Sequence, residues 1–320
     1  MYKIFKNLKT GVVIKSTGSW YLVKLIDQSI LNCRIKGKFR IKGIKSTNPV
    51  TVGDVVDVET SDNVDFIIKH IHPRKNYIIR KSVNLSKQTH IIAANIDQVF
   101  LMITFEQPPT STAFIDRFLA TAEAYHIPAI LLFNKSDLQA ELQSVGRAEI
   151  IKTYTKIGYQ CLEIAVETQL NITDLKALMK DKVSMFSGHS GVGKSSLINV
   201  LDSNLKLNTK NISDQHKQGL HTTTFAEMFS LPFGGSIIDT PGIKGFGVVD
   251  MKPEEVSGYF PEFFKLKSKC KYHNCLHQNE PNCAVKEAVE NGWIAQWRYQ
   301  NYLQIISGDD SQYRNDIYNI

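Results

Sequence analysis

The sequence predicts an α/β protein whose central domain has a mostly parallel sheet, with a small β-barrel before it and a small helical domain after it. Three observations indicate this arrangement. Short β segments separated by Gly and Asn turns fill residues 1 to about 70, apolar strands alternate with helices from about 90, and three cysteines lie between 270 and 283. Buried strands alternating with helices are typical of parallel sheets covered on both faces. The expected domains are 1–72, 73–247 and 248–320.

The composition of the 320 residues, 42% hydrophobic and 22% charged, fits a globular protein of two or three domains. No apolar run approaches the length of a membrane span, and the first ten residues lack the apolar segment of a secretion signal. We therefore expect a cytoplasmic protein with no membrane partner.

Positive charge is concentrated near the N-terminus. Residues 1–80 hold 15 Lys and Arg against 6 Asp and Glu, while the other 240 residues hold 23 against 25. This asymmetry favours an anionic partner, most commonly nucleic acid, over a merely soluble basic surface.

The N-terminal module has the pattern of a small barrel of the oligonucleotide-binding (OB) class, with segments at 11–15, 20–25, 33–42 and 54–58. In the third segment, cations occupy every second position, about 6.6 to 6.8 Å apart on one face of an extended chain. They form either a track for RNA phosphates or an ordinary solvated face, and a break at Gly37 makes the segment a basic loop instead. The candidate RNA-binding residues are Arg34, Lys36, Lys38, Arg40 and Lys42.

The central domain contains a glycine-rich loop between a strand at 183–186 and a helix at 195–201. Backbone N–H groups in such a loop surround phosphate oxygens at a helix N-terminus. We expect Lys194 to reach the β- and γ-phosphates and Ser195 to give its hydroxyl to Mg²⁺. The predicted phosphate-binding residues are Gly188, His189, Ser190, Gly191, Val192, Gly193, Lys194, Ser195 and Ser196.

A second motif, Asn134-Lys135-Ser136-Asp137, follows a predicted strand at 128–133, at the strand end where ligands bind in α/β sheets. The Asp137 carboxylate matches the two donors on the edge of guanine and repels adenine. Asn134 can bond the N7 side of the purine and tie the motif to the phosphate loop, and the Lys135 stem covers a face of the base. The two motifs together predict a GTPase.

Further candidates surround Mg²⁺ and the γ-phosphate. Asp239, at the end of a strand at 236–239, fits the second Mg²⁺-side carboxylate, and the N–H of Gly242 can meet the γ-phosphate. Within the run 222–224, Thr223 is the expected switch threonine and Mg²⁺ ligand, unless this run is only a polar β segment. Ile243 cannot orient water, so His221 is the candidate catalytic residue and intrinsic hydrolysis should be slow.

The order of the motifs is unusual, because the guanine motif precedes the phosphate loop by 54 residues. A circularly permuted domain gives the same sheet, since the termini of such domains often lie close together.

In the C-terminal region, the spacing C-x4-C-x-H-x5-C suits a tetrahedral Zn²⁺ ion. Four protein ligands leave no open position, so we expect one structural zinc. His273 competes with His277 as the fourth ligand, and the wider spacing favours His277. The predicted ligands are Cys270, Cys275, His277 and Cys283, while Cys33 and Cys161 are expected in the core.

With these motifs in this order, the chain resembles the bacterial GTPases that depend on the small ribosomal subunit. The match includes the sequences at 37–40, 52–54, 115–117, 188–199, 221–224, 239–242 and 246–247. The resemblance implies a monomeric late assembly factor that binds the 30S subunit and its 16S rRNA, cycles between GTP and GDP, and leaves after hydrolysis. Ala165-Val166 stands where the family usually has Ser-Ala, Leu220 replaces a polar residue, and Gly191 replaces the Asn of potassium-dependent GTPases.

The alternative is an RNA-binding adaptor in which the nucleotide has a structural role and is not hydrolysed.

Overall fold

The computed structural model describes residues 8–35, 49–61, 65–81, 89–137, 144–205, 226–239 and 251–308. The strands are, in chain order, β1 Leu8–Ser16, β2 Tyr21–Leu25, β3 Ile30–Ile35, β4 Val55–Ser61, β5 Asp65–Ile71, β6 Tyr77–Lys81, β7 Thr89–Ala94, β8 Gln98–Ile103, β9 Ala129–Phe133, β10 Gln160–Glu163, β11 Val183–Ser187, β12 Glu227–Ser230 and β13 Ser236–Asp239. The helices are α1 Thr112–Ala124, α2 Ser144–Ile157, α3 Ile172–Met179, α4 Lys194–Leu201, α5 Pro253–Val256, α6 Pro261–Lys267, α7 Ala284–Glu290 and α8 Gln296–Ser307, with a 3-10 turn at Ser257–Tyr259.

The chain forms two compact units. Unit 1 combines residues 1–98, 179–185 and 215–243, and unit 2 combines 99–178, 186–214 and 244–320. Within the described residues, no helix combines the length and the apolar composition needed to cross a membrane.

Unit 1 contains a closed five-stranded barrel in the order β1-β2-β3-β5-β4, with β4 pairing back to β1. The β3–β5 pair is parallel and the other pairs are antiparallel. Inward positions alternate along the strands, as in β2, where Tyr21, Val23 and Leu25 are buried. The predicted OB-type barrel is therefore confirmed, and Cys33 lies in its core, where burial raises the pKa of its thiol to about 12.

β3 begins at Ile30, three residues before the predicted third barrel segment at 33–42, and residues 36–42 of that segment lie outside the described residues. Lys36, Lys38, Arg40 and Lys42 lie outside the described residues. Of the basic series, the structure describes Arg34, an exposed residue of β3.

β12, β13 and part of β11 extend the barrel sheet of unit 1. β12 and β13 form an antiparallel hairpin, and β13 also pairs in parallel with the part of β11 at 183–185. β12 joins the barrel through the pairing of Glu227 with Lys15 of β1, and the side chains of these residues form an ion pair at 2.8 Å. β6 and β7 form a separate two-stranded sheet.

Unit 2 contains the parallel strands β8, β9 and β10, with β9 in the middle. Every residue of β8 is buried, as expected for a strand covered on both faces. Helix α1 begins after Ser111, whose hydroxyl accepts a hydrogen bond from the N–H of Phe114 at 3.2 Å. Cys161 on β10 is half-buried rather than fully in the core.

The C-terminal part of unit 2 is a small helical domain with an aromatic core formed by Phe260, Phe263 and Tyr302. The final helix begins at Gln296, after a turn that the N–H groups of Trp293 and Ile294 close by bonding to the carbonyl of Ala288 in α7.

A buried polar network joins α8 to α1. The Arg298 guanidinium donates to Asp116 and to Glu262, and Asp116 also accepts from Asn301 Nδ2 at 2.7 Å and from the Tyr154 hydroxyl at 2.6 Å. Burial alone would lower the pKa of Arg298, but the two carboxylates outweigh that effect and raise it. The guanidinium therefore stays charged inside unit 2.

A second buried ion pair holds the end of the barrel. Arg74 donates through Nε and Nη2 to the two carboxylate oxygens of Asp54, at 2.6 and 2.7 Å, and Asp54 also accepts from the N–H of Thr51 at 2.8 Å. Asp54 is fully buried, so both oxygens depend on these partners.

We expect Asp54→Ala to destabilise the barrel by about 3 to 5 kcal/mol, because the buried Arg74 charge would lose its partner. Hydrogen exchange of the β1–β5 amides measures the change. The matched control, Asp27→Ala, removes an aspartate of an exposed turn and should cost about 1 kcal/mol or less. Equal protection of the barrel amides in the two variants would contradict the assignment.

Candidate functional site

The glycine-rich loop connects β11 to α4 in a conformation that two of its glycines make possible. Gly188 has φ 142° and Gly193 has φ 96°. A Cβ on Gly188 would lie 2.6 Å from the carbonyl oxygen of Met102, and a Cβ on Gly193 would lie 2.7 Å from Asn134 Nδ2. Side chains at these positions would clash, which explains the two glycines. The loop leads directly into the N-terminus of α4, where backbone N–H groups favour an anion.

Lys194, the first residue of α4, turns its ammonium back into this loop. Nζ donates to the carbonyl oxygen of Gly188 at 2.6 Å and also to that of His189. Burial lowers the pKa of Lys194 to about 8. The cation is therefore held where a phosphate chain would contact the loop, and it loses its proton at a lower pH than an exposed lysine does.

The other loop residues are placed differently. Ser190 and Gly191 are exposed, while Ser195 and Ser196 at the start of α4 are half-buried. The His189 ring is buried against Phe114 of α1, with ring centroids 3.9 Å apart. His189 thus anchors the loop to a helix, a contact that its place in the loop sequence did not reveal.

Asn134 joins the second motif to the loop. It follows β9 and is buried, and its Nδ2 donates to the carbonyl oxygen of Val192 at 2.8 Å. Its Oδ1 accepts from the N–H of Val166 at 3.3 Å. The structure therefore brings together the two motifs that the sequence predicts as one site, although they are far apart along the chain.

The other residues of the guanine motif, a tetrad at 134–137, lie around this contact. Ser136 donates from its hydroxyl to the carbonyl oxygen of Phe133 at 2.8 Å, and Lys135 donates from Nζ to the carbonyl oxygen of Gln107. Asp137 is exposed at the edge of the site. An exposed carboxylate in this position is available to an incoming base.

Two further segments adjoin the site. The carbonyl of Ile164 accepts from the N–H of Ser136 at 3.1 Å, which places Ala165 and Val166 beside the tetrad. Pro108 lies 3.3 Å from the Cβ position of Gly191 and follows the Gln107 carbonyl that Lys135 contacts. The segment at 104–110 was not predicted as part of the site, although its Pro-Pro pair after the buried strand β8 is a loop signal at the ligand-binding edge of a sheet.

The residues predicted around Mg²⁺ are only partly described. Asp239 ends β13 in unit 1 and is half-buried, opposite Glu227. His221, the threonine run at 222–224 with Thr223, Gly242 and Ile243 lie outside the described residues, and their roles stay predictions.

In unit 2, Cys270, Cys275, His277 and Cys283 form a compact cluster whose ligand atoms all lie within 4.8 Å of one another. The Nδ1 atom of His277 is 3.3 Å from Cys283 Sγ and 3.7 Å from Cys270 Sγ, and these two sulfurs are 4.0 Å apart. A tetrahedral ion with bonds of about 2.0 to 2.3 Å requires ligand separations of this size. The four side chains could therefore hold a metal ion.

The surroundings of the cluster also suit a metal ion. His273 is exposed and is not part of the cluster. Burial lowers the pKa of His277 to about 4 and raises that of Cys275 to about 12. The imidazole is therefore neutral, as a ligand must be, and a bound cation would compensate for buried thiolates.

The arrangement defines a class of protein. The guanine motif precedes the phosphate loop along the chain but contacts it in the fold. This arrangement is that of a circularly permuted GTPase. The model of the RsgA GTPase family matches residues 71–249, and the model of the RsgA N-terminal domain matches 10–68. The chain belongs to the RsgA GTPase family and is thus a GTP hydrolase, which confirms the family resemblance and rules against the adaptor.

The sequences of individual relatives align with nearly the whole chain. The small ribosomal subunit biogenesis GTPase RsgA of Flavobacterium psychrophilum is 60% identical, with 97% of this chain and 96% of the relative aligned. That of Christiangramia forsetii is 58% identical, with 96% and 99% aligned.

Solved structures show the same fold. The crystal structure of YjeQ from Thermotoga maritima has a TM-score of 0.76 at 33% identity and covers 94% of this chain and 98% of its own. The crystal structure of YloQ, a circularly permuted GTPase, has a TM-score of 0.75 at 27% identity and covers 98% of both chains.

The lowered pKa of Lys194 predicts proton uptake when GDP binds. Below pH 8 the ammonium is protonated with or without ligand, but above it the free protein loses the proton that the bound phosphates retain. The affinity for GDP should therefore fall as pH rises from 8 to 9, by up to about tenfold per pH unit. Calorimetric titration in buffers of different ionisation enthalpy counts the protons.

Lys194→Arg is the matched control, because its guanidinium stays protonated throughout this range. It should bind GDP more weakly but without proton uptake at this site. The same uptake in both proteins would assign the proton to another group.

Proposed function

We propose that the protein hydrolyses GTP to time late steps in the maturation of the small (30S) ribosomal subunit and its own release from that subunit. The main support for GTP hydrolysis is the hydrogen bond from Asn134 to Val192, because it joins the base-reading and phosphate-binding motifs in one site. The ribosomal part is supported by the curated relatives, which are described as small ribosomal subunit biogenesis GTPases.

In this mechanism, the guanine edge pairs with the Asp137 carboxylate, Asn134 contacts the N7 side, and the aliphatic stem of Lys135 covers one face of the base. The phosphates lie in the loop from Gly188 to Ser196, where Lys194 and the N-terminus of α4 offset their charge. Electrostatic stabilisation of this kind is the main contribution of a protein to phosphoryl transfer.

Mg²⁺ accompanies GTP in this proposal and supplies charge neutralisation at the β- and γ-oxygens. Ser195, Thr223 and Asp239 are the proposed ligands. Gly242 meets the γ-phosphate, and His221 assists the attacking water in place of Ile243. Because the apolar side chain of Ile243 cannot hold that water, a partner must order the segment around 221–224 before hydrolysis becomes fast.

The barrel provides the surface for the subunit. We place the contact with 16S rRNA on its basic residues, Arg34, Lys36, Lys38, Arg40 and Lys42, in a cytoplasmic protein that acts as a monomer. The division into an OB domain at 1–72, a GTPase domain at 73–247 and a zinc domain at 248–320 assigns one task to each segment.

We assign one structural Zn²⁺ to Cys270, Cys275, His277 and Cys283. The cluster holds the loop between α6 and α7, and the hydroxyls of Tyr299 and Tyr302 on α8 donate to the carbonyls of His277 and Leu276, at 2.5 and 2.8 Å. Metal binding thus stabilises the whole helical domain.

Protein purified without chelators should contain one zinc ion per chain, and Cys283→Ser should contain none because three ligands bind zinc far less tightly. Elemental analysis measures the metal. Cys161→Ser, a half-buried cysteine outside the cluster, should keep one zinc. Zinc-free wild-type protein would overturn the assignment.

Turnover of GTP should be slow for the isolated protein and should rise by one or more orders of magnitude with 30S subunits, since the partner completes the site. Asp137→Asn should weaken GTP binding about ten- to a hundredfold and transfer the stimulated reaction to xanthosine triphosphate, whose carbonyl accepts from the new amide. Phosphate release under multiple turnover, with each nucleotide, measures both effects.

The xanthosine result is also the control for the subunit effect. If Asp137→Asn hydrolyses xanthosine triphosphate only when subunits are present, the subunit acts on this site and not through a contaminating GTPase. Equal rates with and without subunits would refute the partner-activation proposal.

A further inference from the structure

The outer side of the barrel carries a surface that neither the nucleotide motifs nor the metal cluster uses. Strand residues alternate between the core and solvent, so the side chains between the buried positions of β1, β2 and β3 share the outside. We define the outer barrel face by Lys15, Trp20, Leu22, Lys24, Asn32 and Arg34. It combines an aromatic ring, an aliphatic side chain, an amide and three cations.

A cavity of ≈ 350 Å³ lies on this face and is lined by Lys15, Thr17, Trp20, Leu22 and Asn32. Lys15 pairs with Leu22 across β1 and β2, and Leu22 pairs with Asn32 across β2 and β3. These residues therefore form one row across three strands of the rigid barrel. The volume lies at the low end of the range of ligand sites, about 300 to 1,000 Å³, and suits one small planar group.

Trp20 is the most unusual member of the face. Its side chain is large and apolar, yet the residue is 36% exposed beside the cavity. The Arg34 guanidinium carbon lies 3.7 Å from the centre of its ring, which is the geometry of a cation–π contact. Arg34 thereby packs on one face of the indole, and the same ring lines the cavity.

The charges on the face favour a polyanion. Arg34 packs on Trp20 at the cavity, Lys24 lies on the same face and donates to the Ser230 hydroxyl at 2.9 Å, and Lys15 pairs with Glu227 at 2.8 Å. Residues 1–80 as a whole carry a net charge of +9. A cationic face around a stacking ring is the combination that single-stranded nucleic acids require, whereas an acidic peptide has no need of the ring.

We propose that the outer barrel face binds one unstacked nucleotide of a single-stranded RNA. The base stacks on Trp20 and contacts Leu22, Asn32 offers its amide to the base edge, and the neighbouring phosphates meet Arg34 and Lys24. This inference rests on the proposed function, whose rRNA contact it assigns to particular residues. A double helix does not fit, because its bases are stacked on each other and its major groove is too deep for side chains to read.

The test measures binding of a labelled ten-nucleotide single-stranded RNA to the full-length protein by fluorescence anisotropy. Trp20→Ala should weaken binding about 5- to 150-fold, the range found when one base loses its aromatic partner. Trp20→Phe should restore most of the affinity. Trp293→Ala, which removes a 73% exposed indole from unit 2, is the matched control and should bind as the wild type does.

The dependence on salt separates stacking from charge. Trp20→Ala should leave the log-log slope of affinity against salt unchanged, whereas Arg34→Gln should reduce it by about 0.7, the contribution of one phosphate contact to a single strand. For the same RNA annealed to its complement, the wild type and Trp20→Ala should have equal affinities. A wild-type protein that does not bind the oligomer, or equal affinities of Trp20→Ala and Trp293→Ala, would overturn the proposal.

Co-sedimentation with 30S subunits distinguishes this inference from the function on which it rests. Failure of the wild type to sediment with subunits would contradict the ribosomal function, whatever the oligomer shows. Normal sedimentation of the wild type together with undiminished RNA binding by Trp20→Ala would leave that function intact and remove only the nucleotide site. Weaker sedimentation of Trp20→Ala with undiminished RNA binding would assign the face to a ribosomal protein and likewise overturn the proposal.

Discussion

The nucleotide site depends on one buried side-chain amide. Asn134 Nδ2 donates a hydrogen bond to the Val192 carbonyl of the phosphate loop, and Asn134 Oδ1 accepts one from the Val166 N–H, so one planar amide fixes three separate stretches of chain. Removing that amide would leave a buried carbonyl and a buried N–H without partners, and each unpaired group costs about 1 to 3 kcal/mol. The closeness of Gly193 to the same amide explains why the loop admits no side chain there.

The helical domain is joined to this site by polar contacts of the same kind. Asp116 lies on α1, the helix that also packs on His189 of the phosphate loop through Phe114, and it accepts hydrogen bonds from Arg298 and Asn301 of α8. Buried ion pairs contribute little net stability but tolerate few alternative arrangements. The Cys–His cluster, α8 and α1 are therefore connected by hydrogen bonds and an ion pair, and α1 contacts the loop through the Phe114 and His189 rings.

Much of this could be predicted from the sequence, because the relevant signals are local. The strand predicted at 128–133 is β9 at Ala129–Phe133, and the strand predicted at 183–186 is β11 at Val183–Ser187. The spacing of the cysteines also favoured His277 over His273, and His277 is the histidine that lies in the cluster. A local sequence pattern cannot show which side chains contact each other when they are far apart along the chain. Arg298 and Asp116 are 182 residues apart, and a lone arginine in a helix gives no sign that it is buried.

The pairing of β1 with β12 has a consequence for synthesis of the chain. All five barrel strands lie within residues 8–71, so the barrel can close while most of the protein is still being translated. The strand that extends its sheet begins at Glu227, 212 residues after its partner Lys15. At about 5 to 20 residues per second, this interval lasts roughly 10 to 40 s. During that time the end of β1 around Lys15, which does not pair with β4, lacks its later partner, and unpaired strand edges invite association with other chains.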